Sequence, residues 1–148
     1  MKIGIANDHG GYELKLKLVE YLEKEGYEVI NFGANVPERS DYPDYAIPLG
    51  EAIRDKKVDY GIAICISAIG VSVACNKVKG VRCGKVDSLY EVEHGKSNDY
   101  INCIAISGSL DFDEAVSFFE ALVNTKHITE DPRYFKRVQM IIDYEESI

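Results

Sequence analysis

A chain of 148 residues, with 28% charged residues, 46% hydrophobic residues and a formal net charge of -8, has room for one hydrophobic core over residues 1–148. No cluster of Lys or Arg supplies the basic face that nucleic acid requires, and no apolar run is long enough to span a bilayer, so neither nucleic acid nor membrane is an expected partner. The four cysteines, Cys65, Cys75, Cys83 and Cys103, lack CxxC spacing and lie in or beside apolar runs, which fits reduced cytoplasmic thiols better than a disulfide framework or a zinc site.

Lys2–Asn7 reads as a first strand, with no signal peptide before it, and Gly10-Gly11 breaks it. The helix expected over Tyr12–Glu25 puts Leu14, Leu18, Tyr21 and Leu22 on one face, and Gly26 stands in the C-cap place. Tyr27–Phe32 is a second strand. Pro43 suits the first turn of a helix running to about Asp55. Asp59–Cys65 is nearly all apolar, as a central strand buried on both faces must be. A helix over Gly70–Lys77, a strand over Val81–Val86, a helix over Ser88–Ser97 and a strand over Asn102–Ser107 follow. Asp111–Val123 and Pro132–Glu146 are the closing helices.

Strands alternating with helices over short connections predict an α/β fold. Its form is a Rossmann-like three-layer α/β/α sandwich around a five-stranded parallel sheet. Ligands of such sheets bind outside the carboxyl ends of the strands, so the loops after Asn7, Phe32, Cys65, Val86 and Ser107 are the places to search.

Three constellations there could carry chemistry. Asp8 and His9 end the first strand beside glycines that let backbone approach a ligand, though a helix-capping Asp and an exposed His explain them equally well. Cys65 precedes the loop Ile66-Ser67-Ala68-Ile69-Gly70 at a helix start, where amides favour an anion; a buried structural cysteine is the plainer alternative. Arg133 and Arg137, spaced i, i+4, share a helix face that suits phosphate or, near Asp131, a solvated basic surface. Cys75, Cys83 and Cys103 read as core.

Taken together, these segments resemble the family of ribose-5-phosphate isomerase B and the galactose-6-phosphate isomerase subunits. Asp8-His9-Gly10-Gly11-Tyr12-Glu13-Leu14-Lys15 is similar to the family's DHxGxxLK. Asp41–Ala46 matches its DYPDYA, Asn76–Arg82 its NKVxGxR, and Arg133 and Arg137 stand where its RHxxRV carries two arginines. The resemblance implies an aldose-ketose isomerase of phosphorylated sugars that usually has no metal or other cofactor. The expected reaction is D-ribose 5-phosphate to D-ribulose 5-phosphate, a step of the pentose phosphate pathway. It implies that Cys65 removes the proton beside the carbonyl to give an enediol and that amides of Ile66 to Gly70 hold the oxyanion. It further implies that Asp8 and His9 contact the sugar, that Arg133 and Arg137 bind its phosphate, and that sites form between subunits of a homodimer or homotetramer.

Several positions depart from that pattern. The family loop C-G-T-G-x-G reads Cys65-Ile66-Ser67-Ala68-Ile69-Gly70 here. The family histidine associated with ring opening falls at Asn98, whose amide is neither acid nor base near neutral pH. The following asparagine falls at Asp99, and an arginine after the fifth strand at Ser109. His94, one helical turn before Asn98, is a substitute only if the helix extends that far. Three functions therefore stay open: an isomerase with altered ring opening, a non-catalytic sugar-phosphate binder, and one subunit of a hetero-oligomeric galactose-6-phosphate isomerase.

Overall fold

The computed structural model describes residues 1–148. Its order is β1 (Lys2–Asn7), α1 (Tyr12–Lys24), β2 (Glu28–Asn31), α2 (Pro43–Arg54), β3 (Tyr60–Cys65), α3 (Ile69–Asn76), β4 (Cys83–Lys85), α4 (Leu89–Asp99), β5 (Cys103–Ser107), α5 (Phe112–Asn124) and α6 (Pro132–Glu146). Every expected element is present, with ends displaced by one or two residues. Strands are trimmed where pairing stops, and α4 runs two residues past Ser97.

The five strands are all parallel, in the order β2-β1-β3-β5-β4. The chain steps outward from β1 to β2, then returns across β1 to β3, so the topological switch lies between β1 and β3. Helices α1, α4 and α5 pack on one face of the sheet and α2 and α3 on the other. Leftward and rightward crossovers thus use opposite faces, as a single connection hand demands.

The two faces carry different residues because side chains alternate along a strand. Ile3, Ile5, Ile62, Ile64, Ile104 and Ile106 face α1, α4 and α5. Ala6, Ala63, Cys65, Cys103 and Ala105 face α2 and α3. Glycine on this second face lets the helices come close: a Cβ on Gly4 would lie 2.6 Å from Leu49 Cδ1. Burying these isoleucines contributes about 2 kcal/mol each at the usual apolar transfer value. Helix α6 stands apart, packed mainly against α4, and only its Val138 is buried.

Lys15 on α1 is buried among these layers at 1% exposure. Its ammonium donates to Ala34 O at 2.9 Å, Asn35 Oδ1 at 3.0 Å and Asn31 Oδ1 at 3.3 Å, tying the loop after β2 to α1. Burial lowers its pKa from the ordinary lysine value. The unfolded chain therefore holds that proton more tightly, and stability rises with pH between the folded and ordinary values. Each acceptor keeps a second donor, from Gly33 N, Asn31 Nδ2 and Asn7 Nδ2. Lys15→Met is therefore expected to cost only about 2 kcal/mol, and to remove that alkaline rise in stability, in urea unfolding followed by circular dichroism across pH.

Candidate active site

Loops after β1, β3 and β5 converge at the switch point, and their contacts are backbone to backbone. Gly108 N donates to Cys65 O at 3.0 Å. A Cβ on Gly108 would lie 1.8 Å from Gly10 O, and one on Gly10 would lie 3.0 Å from Ile66 N. Only glycine allows three strand ends to meet so closely.

Asp8 is 8% exposed and caps a single 3-10 turn over His9–Gly11, its Oδ1 accepting from Gly10 N at 2.8 Å. His9 is exposed, and its Nδ1 accepts from Ser40 N at 3.2 Å, which leaves Nε2 as the ring's donor. Asp8 thus fulfils the capping alternative, yet it does so at the strand end where a ligand would sit.

Cys65 is the last residue of β3, 5% exposed and on the small-residue face. Its Sγ lies 4.0 Å from Ser67 Oγ, which accepts from Ile69 N at 3.2 Å. The amides of Ile66, Ser67 and Gly70 have no acceptor within the chain, so the loop offers the unsatisfied donors that a developing oxyanion needs. Tyr42 lies against the same turn: a Cβ on Gly70 would come within 2.8 Å of its ring.

The two replaced glycines behave differently. Ile66 keeps an ordinary negative φ, and its side chain projects outward at 64% exposure. Ala68 adopts φ +64° and ψ -10°, left-handed, at the N-cap of α3 and fully buried. An L-residue in that region costs roughly 1–2 kcal/mol. The left-handed strain of the loop is carried at one alanine.

Ser109 joins this end through Ser107, a residue the sequence did not single out. Ser107 Oγ donates to Ile66 O at 2.6 Å and lies 2.8 Å from Ser109 Oγ, and Ser109 N donates to Ser107 Oγ at 3.1 Å. A serine at the end of β5 thus steadies the loop after β3. Pairing in the sheet could have pointed to it, since Ser107 is the register partner of Cys65.

The other four expected site residues are elsewhere. Helix α4 runs back against the strands, so Asn98 and Asp99 return to the amino-terminal ends, just before β5. Helix α6 packs there too. Phe135 lies near Tyr100 with ring centroids 6.4 Å apart, and Glu145 Oε2 accepts from Gly80 N at 2.8 Å. Arg133 and Arg137 therefore belong to the opposite end of the sheet from Cys65, a strand's length of about 13 Å away along β5. Within one chain Asn98, Asp99, Arg133 and Arg137 do not join Cys65.

At that second end Arg133 clamps Asp131, Nη2 to Oδ2 at 2.6 Å, and these hydrogen bonds lower the Asp131 pKa. The Arg137 guanidinium lies 5.8 Å from the Tyr134 ring centroid. Both arginines are exposed, so the solvated-face alternative describes an isolated chain. The continuation of α4 through Asp99 places the Asn98 amide nitrogen 3.4 Å from both ring nitrogens of His94, and Tyr90 Oη 3.4 Å from His94 Nδ1.

Residues 3–141 match the family model described as Ribose/Galactose Isomerase. The chain belongs to the ribose/galactose isomerase family. It is 32% identical to ribose-5-phosphate isomerase B of Escherichia coli over 146 residues, 98% of this chain and 97% of the relative. The solved ribose-5-phosphate isomerase B of Clostridium thermocellum superposes with a TM-score of 0.93 at 34% identity, over 99% of each chain. That of Mycoplasma genitalium, solved with bound ribulose-5-phosphate, superposes with a TM-score of 0.91 at 30% identity over 99% of this chain and 97% of that one. The Rossmann-like α/β reading of the sequence and its family resemblance both hold. No helix is long and apolar enough to cross a membrane.

The strained Ala68 gives a direct check on the loop. Ala68→Gly is expected to leave the fold intact and raise stability by on the order of 0.5 kcal/mol, because relief of the left-handed strain exceeds the entropy cost of glycine. Ala68→Val is expected to lower it by roughly 2 kcal/mol or more, since a β-branched residue fits neither the φ nor the space. Thermal unfolding of the two variants measures both.

Proposed function

We propose that this chain interconverts an aldose phosphate and its ketose, D-ribose 5-phosphate and D-ribulose 5-phosphate, through an enediol, with Cys65 as the base. The observation that carries the reading is Cys65 at the end of β3 beside a loop of unsatisfied amides, with a serine hydroxyl 4.0 Å from the sulfur. The Cys65 thiolate takes the proton from C2 of the aldose. The electron pair left behind forms the C1–C2 double bond, and the C1 oxygen becomes an enediolate held by the amides of Ile66, Ser67 and Gly70. The proton returns to C1 while the C2 hydroxyl passes its own proton to the C1 oxygen, which leaves the ketose. Removing one such oxyanion donor costs on the order of 10²–10³ in rate in comparable sites. Asp8 and His9, at the end of the neighbouring strand, are placed for the sugar hydroxyls. Four free cysteines suit a reducing compartment, so the cytoplasm is the proposed location.

The division of the site residues between two ends of the sheet supports a homodimer. A two-fold axis perpendicular to the strands sets the carboxyl end of one copy beside the amino end of the other. Arg133 and Arg137 of the second copy then face Cys65 of the first and bind the phosphate. Surfaces exist for such docking. Ile66 in the loop before α3 and Ile69 and Val73 on α3 are exposed apolar side chains, at 64%, 56% and 49% exposure, and Phe135, Met140 and Ile141 are exposed on α6.

A shared site makes two inactive variants complementary. Cys65→Ala and Arg137→Ala homodimers are each expected to lose at least about 100-fold in turnover of ribose 5-phosphate. Refolded together in equal amounts, half of the dimers are mixed and each carries one intact site, so roughly a quarter of the wild-type rate is expected. Failure of the mixture to exceed its parents would overturn the shared site. Full activity in Cys65→Ala would remove the cysteine from its role.

His94 is proposed as the group that opens the sugar ring, because it stands against Asn98 on the same helix face. His94→Gln is expected to lower turnover of ring-closed ribose 5-phosphate on the order of 10²-fold, the range for a lost general acid. Solvent-deuterium exchange into an open-chain aldose phosphate should be nearly unchanged. Equal losses with both substrates would sink the assignment.

A further inference from the structure

Three cysteines that the sequence presents as separate core residues meet in the fold. Cys75 is near the end of α3, Cys83 opens β4 and Cys103 opens β5, and their sulfurs all lie within 4.8 Å of one another. Cys83 and Cys103 are register partners in the sheet, and α3 lies over them on the small-residue face. A Cβ on Gly61 would come within 3.1 Å of Cys103 Sγ, so the neighbouring glycine makes the room. Asn76 fixes Cys83 from both sides, Nδ2 donating to Cys83 O at 2.9 Å and Oδ1 accepting from Cys83 N at 2.8 Å.

We propose that Cys75, Cys83 and Cys103 form a three-thiolate site for a thiophilic closed-shell ion, Zn²⁺ or Cu⁺. Metal–sulfur bonds of about 2.3 Å in a trigonal set require sulfurs about 4.0 Å apart, so ligation needs shifts of less than about 1 Å. Three sulfur donors and no carboxylate select soft ions over Mg²⁺ or Ca²⁺. Cys75 and Cys103 are fully buried, while Cys83 is half-buried and lines a surface hollow with Asn76, Arg82, Asp99 and Glu145, which gives an ion its way in. Each ligating thiol releases its proton to solvent, and no electron is transferred. The Arg82 guanidinium and the Asp99 and Glu145 carboxylates border the same hollow. An ion there ties the far end of α3 to β4 and β5, and the near end of α3 carries the loop after Cys65.

The test uses the reduced full-length chain without oxygen, titrated separately with Zn²⁺ and with Cu⁺ against a chromophoric competitor. One ion per chain is expected in at least one titration, with X-ray absorption showing three sulfur neighbours at about 2.3 Å. The thermal midpoint is expected to rise by roughly 5–10 °C at a hundredfold excess over the dissociation constant. Cys83→Ser should weaken binding at least a hundredfold, and Cys65→Ser should leave it unchanged. No stoichiometric binding of either ion would overturn the site. So would fewer than three sulfur neighbours in the wild-type chain, unaltered binding in Cys83→Ser, or loss of binding in Cys65→Ser.

Discussion

All five strands run the same way, and that single constraint decides where chemistry can gather. Every strand finishes at one end of the sheet, so the loops that follow β1, β3 and β5 are forced together there. Each connecting helix must travel back, so its last turn is delivered to the opposite end. Asp8 and Ser109 follow strands and Cys65 ends one, whereas Asn98 and Asp99 end a helix. No adjustment of side chains within one chain joins these two groups. Symmetry does, because a two-fold operation exchanges the ends. The assembly proposed for the protein fits this topology.

The unequal faces of the sheet refine this arrangement. The isoleucine face holds α1, α4 and α5 at the distance that bulky side chains set. On the glycine, alanine and cysteine face, α2 and α3 sit closer, and this is the face that holds Cys65. Close approach brings Tyr42 over Gly70 and puts the first turn of α3 beside the Cys65 sulfur. The same closeness, repeated at the other end of α3, draws Cys75 down onto Cys83 and Cys103. Both sulfur sites thus follow from small residues along β3, β4 and β5.

Much of the fold was legible because it rests on local rules. Gly26 does take a positive φ of +90° after α1, Pro43 opens α2, and the apolar run before Cys65 is the central strand. The strand-end residues Asp8, His9 and Cys65 were legible for the same reason, since a site at strand ends can be read from the order of elements. What escaped depended on tertiary contacts. Nothing local tells that Lys15 is buried, because a helical lysine is normally solvated. Cys75, Cys83 and Cys103 are separated by eight and twenty residues, without a spacing rule, and only the packing of α3 over β4 and β5 makes them neighbours. Ser107 was overlooked because its role is to hold the backbone of another loop.

The departures from the family pattern acquire a physical meaning at the loop after β3. An oxyanion site built from amides depends on φ and ψ, and side chains matter to it only through those angles. Ile66 needs no left-handed angle, and Ala68, which does, is the smallest L-residue that can take one. Burial on all sides holds that alanine in place. The substitutions leave the amides free while altering the rim, where Ile66 stands exposed beside Ile69. An apolar rim beside polar donors favours closure by another apolar surface. Once a second copy covers it, water is excluded from the place where the enediolate charge would form, and the amide dipoles act at full strength. The isoleucine that stands in place of a glycine thus strengthens the case for a site completed at an interface.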